Sequence, residues 1–307
     1  MRIFVTGASG WLGSAVVPEL LDAGHQVTGL ARSDASAAAL TAAGVGVVRG
    51  TVDDLDVLRD AADASDGVIH LAFKHDMAFS GDFRGAADAD RRAVDTFGDT
   101  LAGSDRPFVL ASGLAGLAPG RVTTEEDMPS IDGSPVSTRA ATSLATLALA
   151  SRGVRSSVVR LSPTCHGEGD NGFMALLVSV ARAKGVSGHL GEDAGRWPAV
   201  HRFDAARLFR LAVEKAPAGS VLHGTAEEGV PIRDVAEVIG RHLGVPVTAV
   251  AREAAQEHFG WVGSFLGHDF SASNTLTRKL LDWEPTHPGL LADLEEGHYF
   301  HTPTATA

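Results

Sequence analysis

The chain has 307 residues, enough for a substantial core and about two domains. Its net charge of -12 comes from interspersed acids and bases with no dense basic block to track a phosphate backbone, which argues against nucleic acid as a partner. One cysteine, Cys165, forbids an intrachain disulfide, and with neither a charged and apolar leader nor an apolar run of about 18 residues, a soluble cytoplasmic protein without a membrane partner is expected.

The first apolar run, Ile3-Phe4-Val5, leads into Gly7-Ala8-Ser9-Gly10-Trp11-Leu12-Gly13 and then into Ser14 to Leu21, where apolar residues recur at helical spacing. The pattern is strand, glycine turn, helix, and such a turn lets a pyrophosphate approach backbone N-H groups at the positive end of a helix. Gly7, Ser9, Gly10, Trp11 and Leu12 are therefore cofactor candidates. The spacing G-x-x-G-x-x-G differs from the usual G-x-G-x-x-G and by itself is a loose signal.

Strands follow at Gln26 to Ala31, Val45 to Val48, Gly67 to Ala72 and Phe108 to Ala111, with helices at Ala35 to Ala42, Asp54 to Ala62 and Ala86 to Ala102 between them. Such alternation implies an α/β, doubly wound parallel sheet of the Rossmann type with helices on both faces. Ligands of such sheets lie beyond the carboxyl ends of the strands. The residues there are the glycine turn, Arg32 and Ser33, Val52 within Thr51 to Asp53, Phe73 to Asp76, and Ser112 with Gly113.

From Ser112 to Ser137 the pattern gives way to a long polar loop, the length of a functional excursion. A helix from Thr138 to Ala150 and a strand from Ser156 to Leu161 come next. Helices are expected at Gly172 to Ala183, Asp204 to Glu214, Ile232 to His242, Arg252 to His258 and Thr275 to Leu281. Val221 to His223 reads as one more strand, and the tail from His301 as frayed. The dinucleotide-binding part is expected to comprise residues 1-163 and 197-225, and a smaller substrate-capping part 164-196 and 226-307.

About 20 residues beyond the glycines, a carboxylate usually meets a free ribose 2'-hydroxyl. Here Arg32 and Ser33 stand instead, and a guanidinium grips a 2'-phosphate through paired charge-assisted bonds, so NADP is favoured over NAD. Asp34 counts against this reading, and Ser33 would serve equally as a helix cap.

The stretches Thr6 to Gly13, Val68-Ile69-His70-Leu71-Ala72, Val109-Leu110-Ala111-Ser112, Val159-Arg160-Leu161-Ser162-Pro163 and Leu280-Leu281-Asp282-Trp283-Glu284-Pro285 together resemble the short-chain dehydrogenase/reductases, in their extended or atypical, epimerase/dehydratase-like branch. The resemblance spans nearly the whole chain. It implies a nicotinamide cofactor lined by Leu71, Ala72 and Phe73, with Pro163 near the nicotinamide ring and Ser112 at the substrate. It also implies a Tyr-x-x-x-Lys pair on the helix after the long loop, but Arg139 and Ser143 occupy those two places. The only tyrosine, Tyr299, is far away in sequence.

Another group must then handle the proton. His75 beside Asp76 is one candidate, against the reading of an ordinary polar turn. His166 is a second, in Cys165-His166-Gly167-Glu168-Gly169-Asp170, where no convergent spacing supports a metal site. His201 is more often the kind of histidine that serves structure. The aromatic residues Phe73, Phe79, Phe83, Phe173, Trp197, Phe259, Trp261 and Phe265 favour an apolar or aromatic small-molecule substrate. The expected function is NADPH-dependent reduction of a small carbonyl or enone compound. The alternatives are an NADP-binding sensor that lost catalysis and an epimerase or isomerase using the nicotinamide transiently; a homodimer is compatible with each.

Overall fold

The computed structural model describes residues 1-114, 116-117, 120-191 and 195-301; the side chains of Phe79, Pro135 and Val136, and the tail from 302 on, lie outside the described residues. The first half alternates as expected: β1 (Arg2–Thr6), α1 (Gly13–Asp22), β2 (Gln26–Ala31), α2 (Asp34–Ala42), β3 (Gly46–Arg49), α3 (Leu55–Asp63), β4 (Gly67–His70), α4 (His75–Phe79), α5 (Phe83–Leu101) and β5 (Pro107–Gly113). The second half contains α6 (Pro135–Ala148), β6 (Arg155–Leu161), β7 (Thr164–His166), α7 (Phe173–Lys184), β8 (Ser187–His189), β9 (Arg196–His201), α8 (Arg202–Lys215) and β10 (Ser220–Gly224). It closes with β11 (Glu227–Pro231), α9 (Ile232–Leu243), β12 (Val247–Ala249), α10 (Ala255–Phe259), α11 (Thr275–Leu281) and α12 (Leu290–Glu295).

Seven strands form one parallel sheet in the order β10-β6-β5-β4-β1-β2-β3, so the strand order reverses between β1 and β4. Successive side chains of a strand face opposite sides. Ile3 and Val5 accordingly enter the core shared with Val16 and Leu20 of α1 and Leu208 and Phe209 of α8. Phe4, between them, enters the opposite core with Leu58 of α3 and Val94 and Phe97 of α5. A third core lies apart, where Met174 and Leu177 of α7 and Val235 and Ile239 of α9 pack with Trp197, Phe259 and Leu290. The short strands β7, β9 and β11 form a small sheet beside it. These strands are too short for their pattern to declare them in the sequence.

Two buried polar anchors hold the later segments to the main sheet. Trp283 is fully buried in the α1/α8 core and donates from Nε1 to the Asp204 carbonyl at 3.0 Å. The Asp204 carboxylate accepts the backbone N-H groups of Thr286 and His287 at 3.0 and 2.9 Å. Burial raises its pKa, but these donors and the His287 ring outweigh burial and hold it below the usual carboxylate value. The long loop is pinned as well: Glu125 accepts from the N-H and hydroxyl of Thr277, both at 2.7 Å, and Thr123 bridges to the 271-273 segment.

His223, fully buried on β10, sits where these pieces meet. Its Nδ1 lies 2.8 Å from the Ser273 carbonyl and its Nε2 3.5 Å from Nη1 of Arg160, with Glu125 and Asp127 nearby. Nδ1 therefore carries the proton and Nε2 faces a cation. Burial holds the imidazole well below its ordinary pKa. A histidine kept neutral in the fold contributes stability that is present above its unfolded pKa of about 6.5 and is lost as pH falls below it. Thermal melts should therefore show the melting temperature falling from pH 7 towards pH 4.5, and His223→Asn should flatten that fall; an unchanged pH slope in the variant would exclude this histidine as its source.

Candidate active site

The turn after β1 is built from contacts that only glycine permits. Gly7 has φ +70°, and a Cβ there would stand 2.9 Å from the Ala72 nitrogen; a Cβ on Gly13 would stand 2.1 Å from the Gly7 carbonyl oxygen. The end of β1, the start of α1 and the segment after β4 thus meet backbone to backbone. The N-H groups of Trp11 and Leu12 donate to no protein group among the described residues. Free N-H groups at the start of a ten-residue helix, in a turn with no side chain at its closest points, fit a pyrophosphate. A dinucleotide cofactor is therefore compatible with the chain's own geometry.

Buried polar bonds fix the neighbouring loop. Thr6 Oγ1 lies 2.5 Å from Nδ1 of His70 and accepts from the Ala72 N-H at 3.3 Å, while Nε2 of His70 lies 3.2 Å from Asp90 on α5. This chain sets the course of Leu71, Ala72 and Phe73. None of Thr6, His70 and Asp90 stood out in the sequence, because polar residues inside a strand or helix pattern carry no mark of the partner they will meet.

At the end of β2, Ser33 is the cap of α2 and accepts from the Ser36 N-H at 3.1 Å. Arg32 extends into solvent, 3.8 Å from Asp76. Arg49, which the sequence reading passed over, reaches across from β3 and pairs with Asp34. The exposed carboxylate that counted against a 2'-phosphate is thus paired with Arg49, so this rim carries two guanidinium groups, each beside a carboxylate. Val52 packs against the core beneath it.

Phe73, His75, Ser112, Arg139 and Ser143 are linked by contacts at the carboxyl edge of the sheet. Ser112 is buried at the end of β5, and its hydroxyl lies 2.8 Å from that of Ser143 on α6. Arg139, one turn earlier on α6, stacks its guanidinium on the Phe73 ring at 4.0 Å. Burial lowers the Arg139 pKa, opposed by the charge of Asp90. The His75 ring stands edge-on to Phe73 at 5.0 Å. One side of it is open to solvent, yet the surrounding protein and the Arg139 charge push its pKa down, so it is neutral at pH 7.

His166 stands in a different cluster. Its ring is buried, with Nδ1 2.9 Å from Asp293 and an edge-on contact to His201 at 5.4 Å. His201 caps α8 and stacks on His287 at 4.8 Å, a structural assignment. Asp293, Glu296 and His298 place ligand-type atoms within 4.8 Å of one another, but the Asp293 carboxylate already receives His166. Tyr299 bonds Asp170 at 2.9 Å in the same region. Of the two histidines offered as partners of Ser112, His75 stands against Phe73, which carries Arg139 of α6, while His166 is engaged with Asp293. Pro163 follows β6 at the same carboxyl edge of the sheet.

Residues 3–223 match the NAD dependent epimerase/dehydratase family. The chain belongs to that family. An uncharacterised protein of Schizosaccharomyces pombe, C2A9.02, is 46% identical over 302 residues, covering 98% of this chain and 100% of that one. A 4-hydroxy-2-methyl-3-oxo-4-farnesyl-3,4-dihydroquinoline-1-oxide ketoreductase of Stigmatella aurantiaca is 27% identical, covering 76% of this chain and 70% of the relative. The fold is similar to that of a UDP-glucose 4-epimerase from Thermotoga maritima, with TM-score 0.77, 18% identity and 98% of each chain covered. Among the described residues no helix is long and apolar enough to cross a membrane.

The backbone contacts of the turn give a direct test. Gly13→Ala should lower stability by about 2 kcal/mol or more through overpacking against fixed backbone, whereas a Cβ at Gly10 meets only the Gly7 oxygen at 3.1 Å and should cost less. Thermal melts of the two purified variants check the order; equal melting temperatures would contradict it.

Proposed function

We propose that this enzyme is an NADPH-dependent reductase of a small, mostly apolar or aromatic carbonyl or enone compound. The observation that carries the reading is the Ser112-Ser143 hydroxyl pair, 2.8 Å apart at the carboxyl edge of the sheet and beside an aromatic wall. Ketoreduction by the Stigmatella aurantiaca relative supports the reaction class. Gly7, Ser9, Gly10, Trp11 and Leu12 would hold the pyrophosphate; Arg32 and Ser33, with Arg49, the 2'-phosphate; Val52, Leu71, Ala72, Phe73 and Pro163 the rest of the cofactor. Bound NADPH supplies a hydride.

The chain's own part is to orient the substrate and manage its oxygen. Ser143 can send its proton to the Arg139 carbonyl at 3.4 Å or to Ser112 at 2.8 Å; in the second case the Ser112 proton is left to donate to a substrate oxygen that gains negative charge. A neutral His75 relays a proton from solvent rather than storing one, since its depressed pKa leaves it uncharged over the neutral range. His166, held on Asp293, is given no proton-transfer role. The absent Tyr-x-x-x-Lys pair speaks for the sensor and the family match for the epimerase, but neither alternative makes use of the Ser112-Ser143 pair.

Two measurements test this reading. Calorimetry should find NADPH bound at least about tenfold tighter than NADH, about 1.4 kcal/mol, with the difference shrinking in Arg32→Ala; equal affinities would refute the 2'-phosphate role. With an aromatic ketone, quinone or enone that drives NADPH oxidation, Ser112→Ala should slow turnover about a hundredfold or more without weakening NADPH binding. If no compound of these classes is reduced, the reductase reading fails.

A further inference from the structure

Among the described residues the Arg139 guanidinium meets no anion. Its one hydrogen bond there is a long contact from Nη2 to the Ala111 carbonyl at 3.4 Å. Nε is buried with no hydrogen-bond partner. No carboxylate among the described residues comes within ion-pair distance of it. Asp90, the acid whose charge acts on it, is instead 3.2 Å from His70. Other inward-facing arginines keep at least one short bond: Arg160 donates to the Asp127 carbonyl at 2.7 Å although its Nη2 is unpartnered, Arg155 to two carbonyls at 3.0 and 3.2 Å, and Arg202 to Ser14 and Glu168 at 2.8 and 3.1 Å although its Nε is unpartnered.

An unsatisfied, desolvated guanidinium is costly, and the cation-π contact with Phe73 offsets only part of that cost. Its planar fork of donors matches a carboxylate through two parallel bonds. Its position is also specific. It is one helical turn from Ser143, whose hydroxyl meets Ser112, and its base is a ring that faces both His75 and Phe83.

We propose that Arg139 is a substrate-binding residue that pairs with a permanent carboxylate on the substrate, so that the enzyme acts on a carbonyl acid whose apolar body lies along Phe73 and whose reacting oxygen meets Ser112. This rests on the reductase reading for the reacting oxygen, but the carboxylate subsite stands on the geometry of Arg139 alone. A guanidinium that served only the charge developing on the reacting oxygen would leave the binding of resting carboxylates unchanged, and that difference separates the two roles.

The test uses full-length protein and small probes, with and without saturating NADP+. Calorimetric titration compares benzoate, phenylacetate and phenylpyruvate with benzamide, phenylacetamide and methyl phenylpyruvate. Carboxylates should bind wild type at least tenfold tighter than their neutral counterparts. That preference should vanish in Arg139→Met and be reduced in Arg139→Lys, which keeps the charge but not the fork, while both variants retain NADP+ affinity within threefold. The proposal is overturned if neutral and charged probes bind wild type equally, if no probe binds, or if Arg139→Met keeps the preference. Since binding is read without turnover, loss of the reductase reading alone would leave the carboxylate preference intact.

Discussion

The backbone of Gly7 passing against that of Leu71 and Ala72 is the contact on which the rest of the molecule depends. It occurs at the reversal of strand order between β1 and β4, the place where doubly wound sheets bind their ligands. Any side chain at Gly7 or Gly13 would push β1, α1 and the segment after β4 apart. Because they do not part, the helix start, the cofactor-lining segment and the Phe73 wall have fixed relative positions. The Thr6-His70-Asp90 chain secures the same junction from below.

On that frame the two positions that the resemblance assigns to a tyrosine and a lysine hold Arg139 and Ser143, groups of different character. Arginine does not titrate near neutrality, and a serine hydroxyl does not lower a neighbour's pKa as an ammonium does. The wall therefore offers a fixed cation, a hydroxyl pair and a neutral imidazole. Such a set can polarise and hold an oxygen, with solvent as the ultimate proton source. It also explains why the aromatic ring of Phe73 matters: it is the surface on which the cation rests.

The smaller core is tied to the sheet through buried polar groups rather than through one continuous apolar face. Asp204 gathers the backbone after Trp283, and Asp293 gathers His166 with His201 4.0 Å away. Buried carboxylates with several donors fix direction more strictly than apolar packing does. These two hold β7, β9 and the last helices in one arrangement beside the cleft.

The sequence by itself determined the doubly wound sheet, since period-two and helical patterns alternated through the first half, and it determined the glycine turn, since spacing and flanking elements coincided there. It also marked where the family's tyrosine and lysine are absent, because residue identity at a fixed offset is a local property. The strands β7, β8 and β12 were not legible, being three residues long, and neither was β11, whose Glu-Glu-Gly-Val-Pro run carries no apolar alternation. Only the tertiary structure decided which polar residues meet: that Ser143 lies against Ser112, that Arg49 occupies Asp34, that His166 faces Asp293, and that Arg139 rests on Phe73 with no carboxylate beside it among the described residues. Those pairings join residues up to 127 positions apart, and hydrogen bonds of that span are set by how the layers pack, which no local pattern records.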